Sequence, residues 1–124
     1  MLGHVVEMCK ASSYYPSATL YLRALPLLPG AAECIEAGVY SSLQPSNFRL
    51  RHAIDQPLPE DHEHRRAYHL LFDPQTSGGL IVALPTHDVA ESYVERLHAS
   101  GYRGAAIIGK VTEPRLPPVC VHLE

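Results

Sequence analysis

The segment DPQTSGGL, residues 73–80, combines a carboxylate, a carboxamide and two hydroxyls with paired glycines, directly before an apolar run. Glycines have no Cβ, so their backbone N–H groups can turn toward an anion, and neighbouring hydroxyls can add further donors. The segment is therefore a candidate oxyanion site. Its candidate residues are Asp73, Gln75, Thr76, Ser77, Gly78 and Gly79. The alternative is structural: the glycines permit close packing at a strand entrance, and the aspartate makes a turn with its own backbone.

A second candidate group lies near the start of the chain, at Gly3, His4 and Glu7. His4 and Glu7 are spaced i, i+3 at the start of a predicted helix, so they share one face of it. A histidine in that place can meet a phosphate or orient another group. It can equally be a structural histidine, and the pattern leaves both interpretations open.

A histidine-rich stretch at residues 61–64, together with His69, has the composition of a metal site but not the spacing. The HExxH motif fails because Arg66 occupies the position of its second histidine. The weak apolar stripe of this stretch favours a solvated helix surface, so we predict no metal ligands. The sequence also lacks GxSxG and GxGxxG motifs, and we assign no catalytic residue.

The composition predicts one ordinary globular domain that covers residues 1–124, with 46% hydrophobic and 19% charged residues. The net charge of −3 argues against a nucleic-acid partner, which needs clustered Lys and Arg. No apolar run approaches the roughly 18 residues that a membrane-spanning helix needs. The three cysteines are widely spaced, so we expect buried reduced thiols in a cytoplasmic protein rather than disulfides.

Hydrophobic periodicity predicts a mixed α/β (α+β) domain in which helices cover a sheet. The run Leu80–Leu84 is apolar at every position, so we expect it to be a central strand that is covered on both faces. A helix capped by Thr86 or Asp88 and stopped by Gly101 follows it, and residues 39–59 are predicted to be irregular. The predicted helices are 3–12, 29–37, 60–72 and 89–100, and the predicted strands are 18–25, 80–84, 105–111 and 119–123.

The string DPQTSGGL before an apolar strand resembles the signature of the C-terminal domain of selenide, water dikinases. Other segments resemble that family in the same order along the chain. They are LGH at 2–4, LPLLPG at 25–30, Asn47-Phe48 and IGKV at 108–111. Asn47 becomes a site candidate through this resemblance, which spans nearly the whole sequence.

The resemblance implies a fold like the C-terminal domain of aminoimidazole ribonucleotide synthetases. It implies an enzyme, selenophosphate synthetase, that makes selenophosphate, AMP and phosphate from ATP, selenide and water. Its N-terminal domain binds ATP and Mg²⁺ and forms a homodimer. We therefore expect this chain to be a C-terminal domain cut from that half, inactive and without bound cofactors by itself. Gly3, His4, Asn47 and residues 73–79 are expected to line the cleft toward the missing half.

Two other interpretations remain at this point. The chain can be the C-terminal domain of a related kinase or synthetase of the same superfamily, such as a thiamine monophosphate kinase. It can also be a stand-alone, non-catalytic binding module. The reading frame upstream of Leu2 distinguishes them, because a selenide, water dikinase has a glycine-rich ATP-binding domain there.

Overall fold

The computed structural model describes residues 1–55, 59–60, 62–75, 78–115 and 121–123. Its elements form a mixed α+β domain, which confirms the predicted fold class. The likeness to the aminoimidazole ribonucleotide synthetases stays a prediction. The helices are α1 (Leu2–Ala11), α2 (Ala31–Glu36), α3 (Gln44–Asn47), α4 (His62–Leu70) and α5 (His87–Ala99), with 3₁₀ helices at Leu22–Ala24 and Phe48–Ala53. The strands are β1 (Ser17–Leu20), β2 (Gly109–Thr112) and β3 (Val121–Leu123).

The sheet has the order β2-β1-β3, with β1 in the centre. β1 runs antiparallel to β2, with Leu20 opposite Gly109, and parallel to β3, with Leu20 opposite Leu123. All four residues of β1 are buried, so both faces of this central strand are covered. A Cβ on Gly109 would collide with the Thr19 carbonyl oxygen, so the β1–β2 pair needs glycine at this position.

The core lies between α1, the sheet and the end of α4. α1 contributes apolar side chains at positions 2, 5, 6 and 9, the spacing of one helix face. The far side of the core is formed by α4 and the two residues that follow it. The buried residues of this cluster are Leu2, Val5, Val6, Cys9, Ala18, Leu20, Leu22, Ile54, Ala67, Tyr68, Leu71, Phe72 and Leu123.

Most predicted elements exist with shifted ends, but two predictions in the first half of the chain are wrong. The strand predicted for residues 18–25 ends at Leu20, because the chain turns into a 3₁₀ helix in which the Ala24 N–H donates to the Tyr21 carbonyl. Residues 39–59 are not wholly irregular, since α3 and the second 3₁₀ helix lie there. Pro45 fits the first turn of α3, where a missing N–H has no cost.

The prediction of a central strand at Leu80–Leu84 is also wrong. This stretch pairs with no strand among the described residues, and Leu80 is 95% exposed. The physical reason is that β2 and β3 already occupy both sides of β1. The strand predicted at 105–111 starts only at Gly109, and of the strand predicted at 119–123, residues 119 and 120 lie outside the described ranges.

α5 has the predicted ends but not the predicted packing. The Thr86 hydroxyl accepts a hydrogen bond from the Val89 N–H at 3.3 Å, and Gly101 follows with φ +94°. The helices were predicted to cover the sheet, but the apolar side chains of Val89 and Tyr93 are exposed and α5 has no buried residue. None of the helices in the described ranges is long and apolar enough to span a bilayer.

The cysteines match the prediction only in part. Cys9 is buried in the core, and burial raises the pKa of its thiol. Cys34 is exposed, contrary to the prediction, because it lies on the outer face of the short helix α2. Cys120 lies outside the described residues.

Candidate functional site

A cleft of about 520 Å³ opens where α1 meets the chain segment that follows α4. Three parts of the sequence contribute to its walls: the first turns of α1, the end of α3 and the start of the DPQTSGGL segment. The cleft brings together seven of the candidate residues named from the sequence. They are Gly3, His4, Glu7, Asn47, Asp73, Gln75 and Gly78.

The α1 wall presents a row of polar side chains to the cleft. His4 Nδ1 lies 3.4 Å from Glu7 Oε2, so the predicted i, i+3 pair shares a face of the helix. Both side chains are about three-quarters exposed, at 75% and 76%. Lys10 follows three residues later and also lines the cleft. This lysine was not predicted as a site residue, although its spacing from His4 and Glu7 places it on the same face.

The opposite wall begins at the C-terminal end of α4, where helix carbonyls lack partners within the helix. Each carbonyl from residue 68 to residue 72 has a donor. The N–H groups of Leu71, Phe72 and Asp73 donate to the carbonyls three residues back. The remaining donors come from outside α4, and two of them are side-chain amides of α3.

The two α3 amides act on the same turn. Gln44 Nε2 donates to the His69 carbonyl at 3.0 Å, and Asn47 Nδ2 donates to the Phe72 carbonyl at 3.0 Å. Asn47 was predicted as a cleft residue, and the structure shows that its amide also holds the backbone beside Asp73. Gln44 was not predicted. The sequence offered no local signal for it, because residues 39–59 were predicted to be irregular.

A backbone hydrogen bond also connects α1 to the same turn. The Leu2 N–H donates to the Leu71 carbonyl at 3.1 Å. This bond joins segments that are about 70 residues apart in sequence, and it brings Gly3 and His4 beside Asp73. The two walls of the cleft are therefore linked by backbone as well as by the core beneath them.

The DPQTSGGL segment leaves the turn at Asp73, which is half-buried, and passes into exposed residues. A Cβ at Gly78 would lie 3.2 Å from the Gln75 side chain, so this glycine allows the segment to fold closely on itself. Gly79 is exposed and does not line the cleft. Thr76 and Ser77 lie outside the described residues. Within the described part of the chain, the Gly78 and Gly79 N–H groups have no hydrogen-bond partner.

Aromatic rings pack behind the turn. The Phe72 ring centroid is 4.7 Å from that of Phe48 and 5.2 Å from that of Tyr68. Burial raises the pKa of Tyr68, and the nearby charge of Arg51 opposes this shift. The His69 ring stacks on Phe48, with the two planes 22° apart. Burial, with the charge of Arg65, lowers the pKa of His69.

Comparison with known proteins gives a consistent family. No protein-family model matches the chain. Among curated proteins, it is 38% identical over 109 residues to a selenide, water dikinase of Rhizobium meliloti (strain 1021), with 88% of the chain aligned. It is 37% identical to one from Shewanella baltica (strain OS155 / ATCC BAA-1091) over 73% of the chain, and 32% identical to one from Pseudomonas straminea over 98% of the chain.

This chain belongs to the selenide, water dikinase family. The predicted resemblance is confirmed. Proteins with this family name are phosphotransferases. The chain spans between 24% and 32% of the length of these relatives. The roles of the individual cleft residues remain predictions.

Magnesium, which the selenide, water dikinase resemblance implies, does not fit a site built by the described residues alone. No group of three His, Cys, Asp or Glu side chains is placed to hold a metal ion within the described ranges. The cleft carboxylates are those of Glu7 and Asp73. In the histidine-rich stretch, Asp61 is outside the described residues, and Arg66 forms an ion pair with Glu36 at 2.8 Å.

Proposed function

We propose that this chain forms one wall of the active-site cleft of an enzyme that makes selenophosphate from ATP, selenide and water, with AMP and phosphate as products. In this proposal the chain works in the cytoplasm with an ATP-binding, dimer-forming part of the same enzyme, which supplies the magnesium site. The chain alone does not catalyse the reaction. Membership in the selenide, water dikinase family and the chain's limited share of its relatives' length support this division of labour.

One observation carries the proposal: three segments that resemble the family at separate places in the sequence converge on one cleft. Phosphoryl transfer depends on positioning and on neutralising the charge of the phosphoryl oxygens, with little covalent chemistry for the protein. The residues of this chain can position a substrate, and they can supply part of the charge neutralisation. Lys10 brings a positive charge, and the Gly78 amide offers a donor to an oxyanion.

Within the proposal, Lys10 attracts the anionic substrate from the α1 side, and the His4 ring beside it is a further hydrogen-bonding group. Asp73, Gln75 and Gly78 face the substrate from the other side, and they exclude water when the second part of the enzyme closes the cleft. The carboxylate of Asp73 then orients groups on the substrate or on that second part.

A chimera tests this function directly. The matching segment of one of the related selenide, water dikinases is replaced by this chain, and selenide-dependent conversion of ATP to AMP is measured. We expect the chimera to be active and the chain alone to be inactive, because charge neutralisation at the phosphoryl group needs the other part of the enzyme.

The matched variants are Asp73→Ala in the cleft and Glu91→Gln on the outer surface of α5. Asp73→Ala is expected to lower the rate by roughly tenfold or more, since a cleft carboxylate orients its partners. Glu91→Gln leaves the rate unchanged. ATP turnover by the chain alone, or a folded chimera that forms no AMP, contradicts the proposed function.

A further inference from the structure

The turn that carries Asp73 is held from outside by one short helix. Gln44 and Asn47 lie about one turn apart on α3, and their amides bond the carbonyls of His69 and Phe72, both at 3.0 Å. Gln44 is only 6% exposed, so water cannot readily replace its amide as the donor. We call these two side-chain amides the α3 clamp.

The Asn47 bond acts on the peptide group that Asp73 shares. The oxygen of the Phe72–Asp73 peptide accepts from Asn47, and the N–H of the same peptide donates to the Leu70 carbonyl at 3.2 Å. The plane of this peptide is therefore fixed at both ends. A fixed peptide plane sets the direction in which the Asp73 side chain leaves the backbone.

The Gln44 bond holds the preceding part of the turn. The His69 carbonyl accepts from Gln44 and also from the Phe72 N–H at 3.2 Å. α3 has only four residues, and a helix that short is not stable without tertiary contacts. The clamp therefore orders α3 and the turn together.

We propose that Gln44 and Asn47 are positioning residues, which hold Asp73 and the segment after it in the orientation that the cleft requires. The catalytic part of this inference rests on the proposed function. The clamp itself is a property of this chain and can be measured without any activity.

The first test is amide hydrogen exchange of the 124-residue chain, read residue by residue by NMR. Gln44→Met keeps the volume of the buried side chain but removes its donor, and Asn47→Asp removes the donor at the more accessible end. Each variant is expected to speed exchange of the Phe72 and Asp73 amides by about tenfold, the effect of losing one buried hydrogen bond. Amides of β1 keep their wild-type rates.

Ser46→Ala is the control, since this serine is exposed on the same helix and lies between the two clamp residues. Exchange at Phe72 and Asp73 is expected to stay at the wild-type rate in this variant. Wild-type exchange of those two amides in both Gln44→Met and Asn47→Asp overturns the clamp.

The second test is a double-mutant cycle in the active chimera, with Gln44→Met, Asp73→Ala and the double variant. Gln44→Met is expected to lower kcat about tenfold with little change in the KM for ATP. If Gln44 acts through Asp73, the double variant is no slower than Asp73→Ala alone. A residue with a merely structural role gives losses that multiply, and that result, or a wild-type kcat in Gln44→Met, overturns the inference.

The two proposals fail in different ways. An inactive chimera with normal folding contradicts the proposed function, whereas the exchange measurement on the chain still decides the clamp. Wild-type exchange at Phe72 and Asp73 in both clamp variants of the chain, together with an active chimera, contradicts the clamp and leaves the proposed function intact.

Discussion

At the scale of single residues, the cleft mixes charges of both signs within a small space. His4 and Glu7 form a pair on α1, Lys10 stands one turn further along, and Asp73 faces them from the opposite wall. The three α1 groups are largely solvent-exposed, so each one contributes modestly and is screened by salt. Binding of an anion here depends on several weak donors acting together rather than on one strong contact.

Lys10 is expected to contribute to that binding. Inorganic phosphate should shift the Gly78 and Gly79 amide signals in NMR spectra of the chain, and Lys10→Gln should weaken the apparent affinity by roughly three- to tenfold. Arg103→Gln removes a similar charge from an exposed loop that does not line the cleft, and it should leave the titration unchanged. Equal affinities in all three proteins would count against a role for Lys10.

His69 should make stability depend on pH. The pKa of its imidazole is lowered from 6.5, chiefly by burial, so the unfolded chain takes up this proton first as the pH falls. Stability is therefore full above pH 6.5 and decreases as the pH drops below it. His69→Phe keeps a ring against Phe48 but cannot titrate. Urea unfolding between pH 7.5 and 5.5 should show a shallower loss in this variant, and parallel curves for the two proteins would refute the assignment.

At the scale of elements, the fold depends on how closely β1 approaches its neighbours. β2 pairs closely with β1 at Gly109, where no side chain fits. On the other side of β1, β3 contributes Leu123 to the core. α1 and the end of α4 then cover the sheet and meet at the cleft. The site is thus built on the edge of the best-packed part of the molecule.

Gly109→Ala is expected to destabilise the chain by about 1–3 kcal/mol, because the new methyl group forces β1 and β2 apart. Gly104→Ala is the matched control, since a Cβ there meets no atom within 4 Å. It should change the free energy of unfolding by less than about 0.5 kcal/mol. Similar midpoints in urea for both variants would show that the strand pair tolerates the added group.

The sequence alone predicted those elements whose signals are local. α1 follows from apolar spacing, and the ends of α5 follow from Thr86 and Gly101. The 3₁₀ helices and α3 were missed because tertiary hydrogen bonds such as that of Gln44 determine them. The apolar run at Leu80–Leu84 was misassigned, since hydrophobicity does not reveal which strands occupy the two sides of β1.

The candidate site as one cleft was predicted from the family resemblance rather than from local sequence patterns. Gly3, Asn47 and Asp73 have no common local pattern, and only the family resemblance suggested that they share a cleft. Lys10 could have been added from helical spacing. The hydrogen bond of Gln44 in the clamp could not have been predicted, because a buried amide and an exposed one look the same in a sequence.

At the scale of the whole molecule, large apolar side chains are exposed on the segment that follows the cleft and on the edge strand β2. Leu80 is 95% exposed and Val82 is 54% exposed, while Val111 on the edge strand β2 is 59% exposed. Exposed apolar segments and an open sheet edge each favour association with another surface.

We therefore expect the chain by itself to associate reversibly, as sedimentation velocity over a range of concentrations can show. Leu80→Lys should weaken this association about tenfold, since it removes a large apolar contact and adds a charge. Val39→Lys alters another exposed apolar residue, distant in sequence from this segment, and should have no effect. A chain that stays monomeric at all concentrations would contradict the expectation.

The strand order β2-β1-β3 also affects how the polypeptide folds during its synthesis. β1 is synthesised before either of its partners, since both follow residue 108 of this chain. Its backbone polar groups have no strand partner until those segments are translated, in the kind of delay that exposes nascent strands to misassembly. Ribosome-bound chains that stop before Gly109 should consequently be the ones that recruit chaperones, and premature termination there should yield aggregates rather than a smaller folded product.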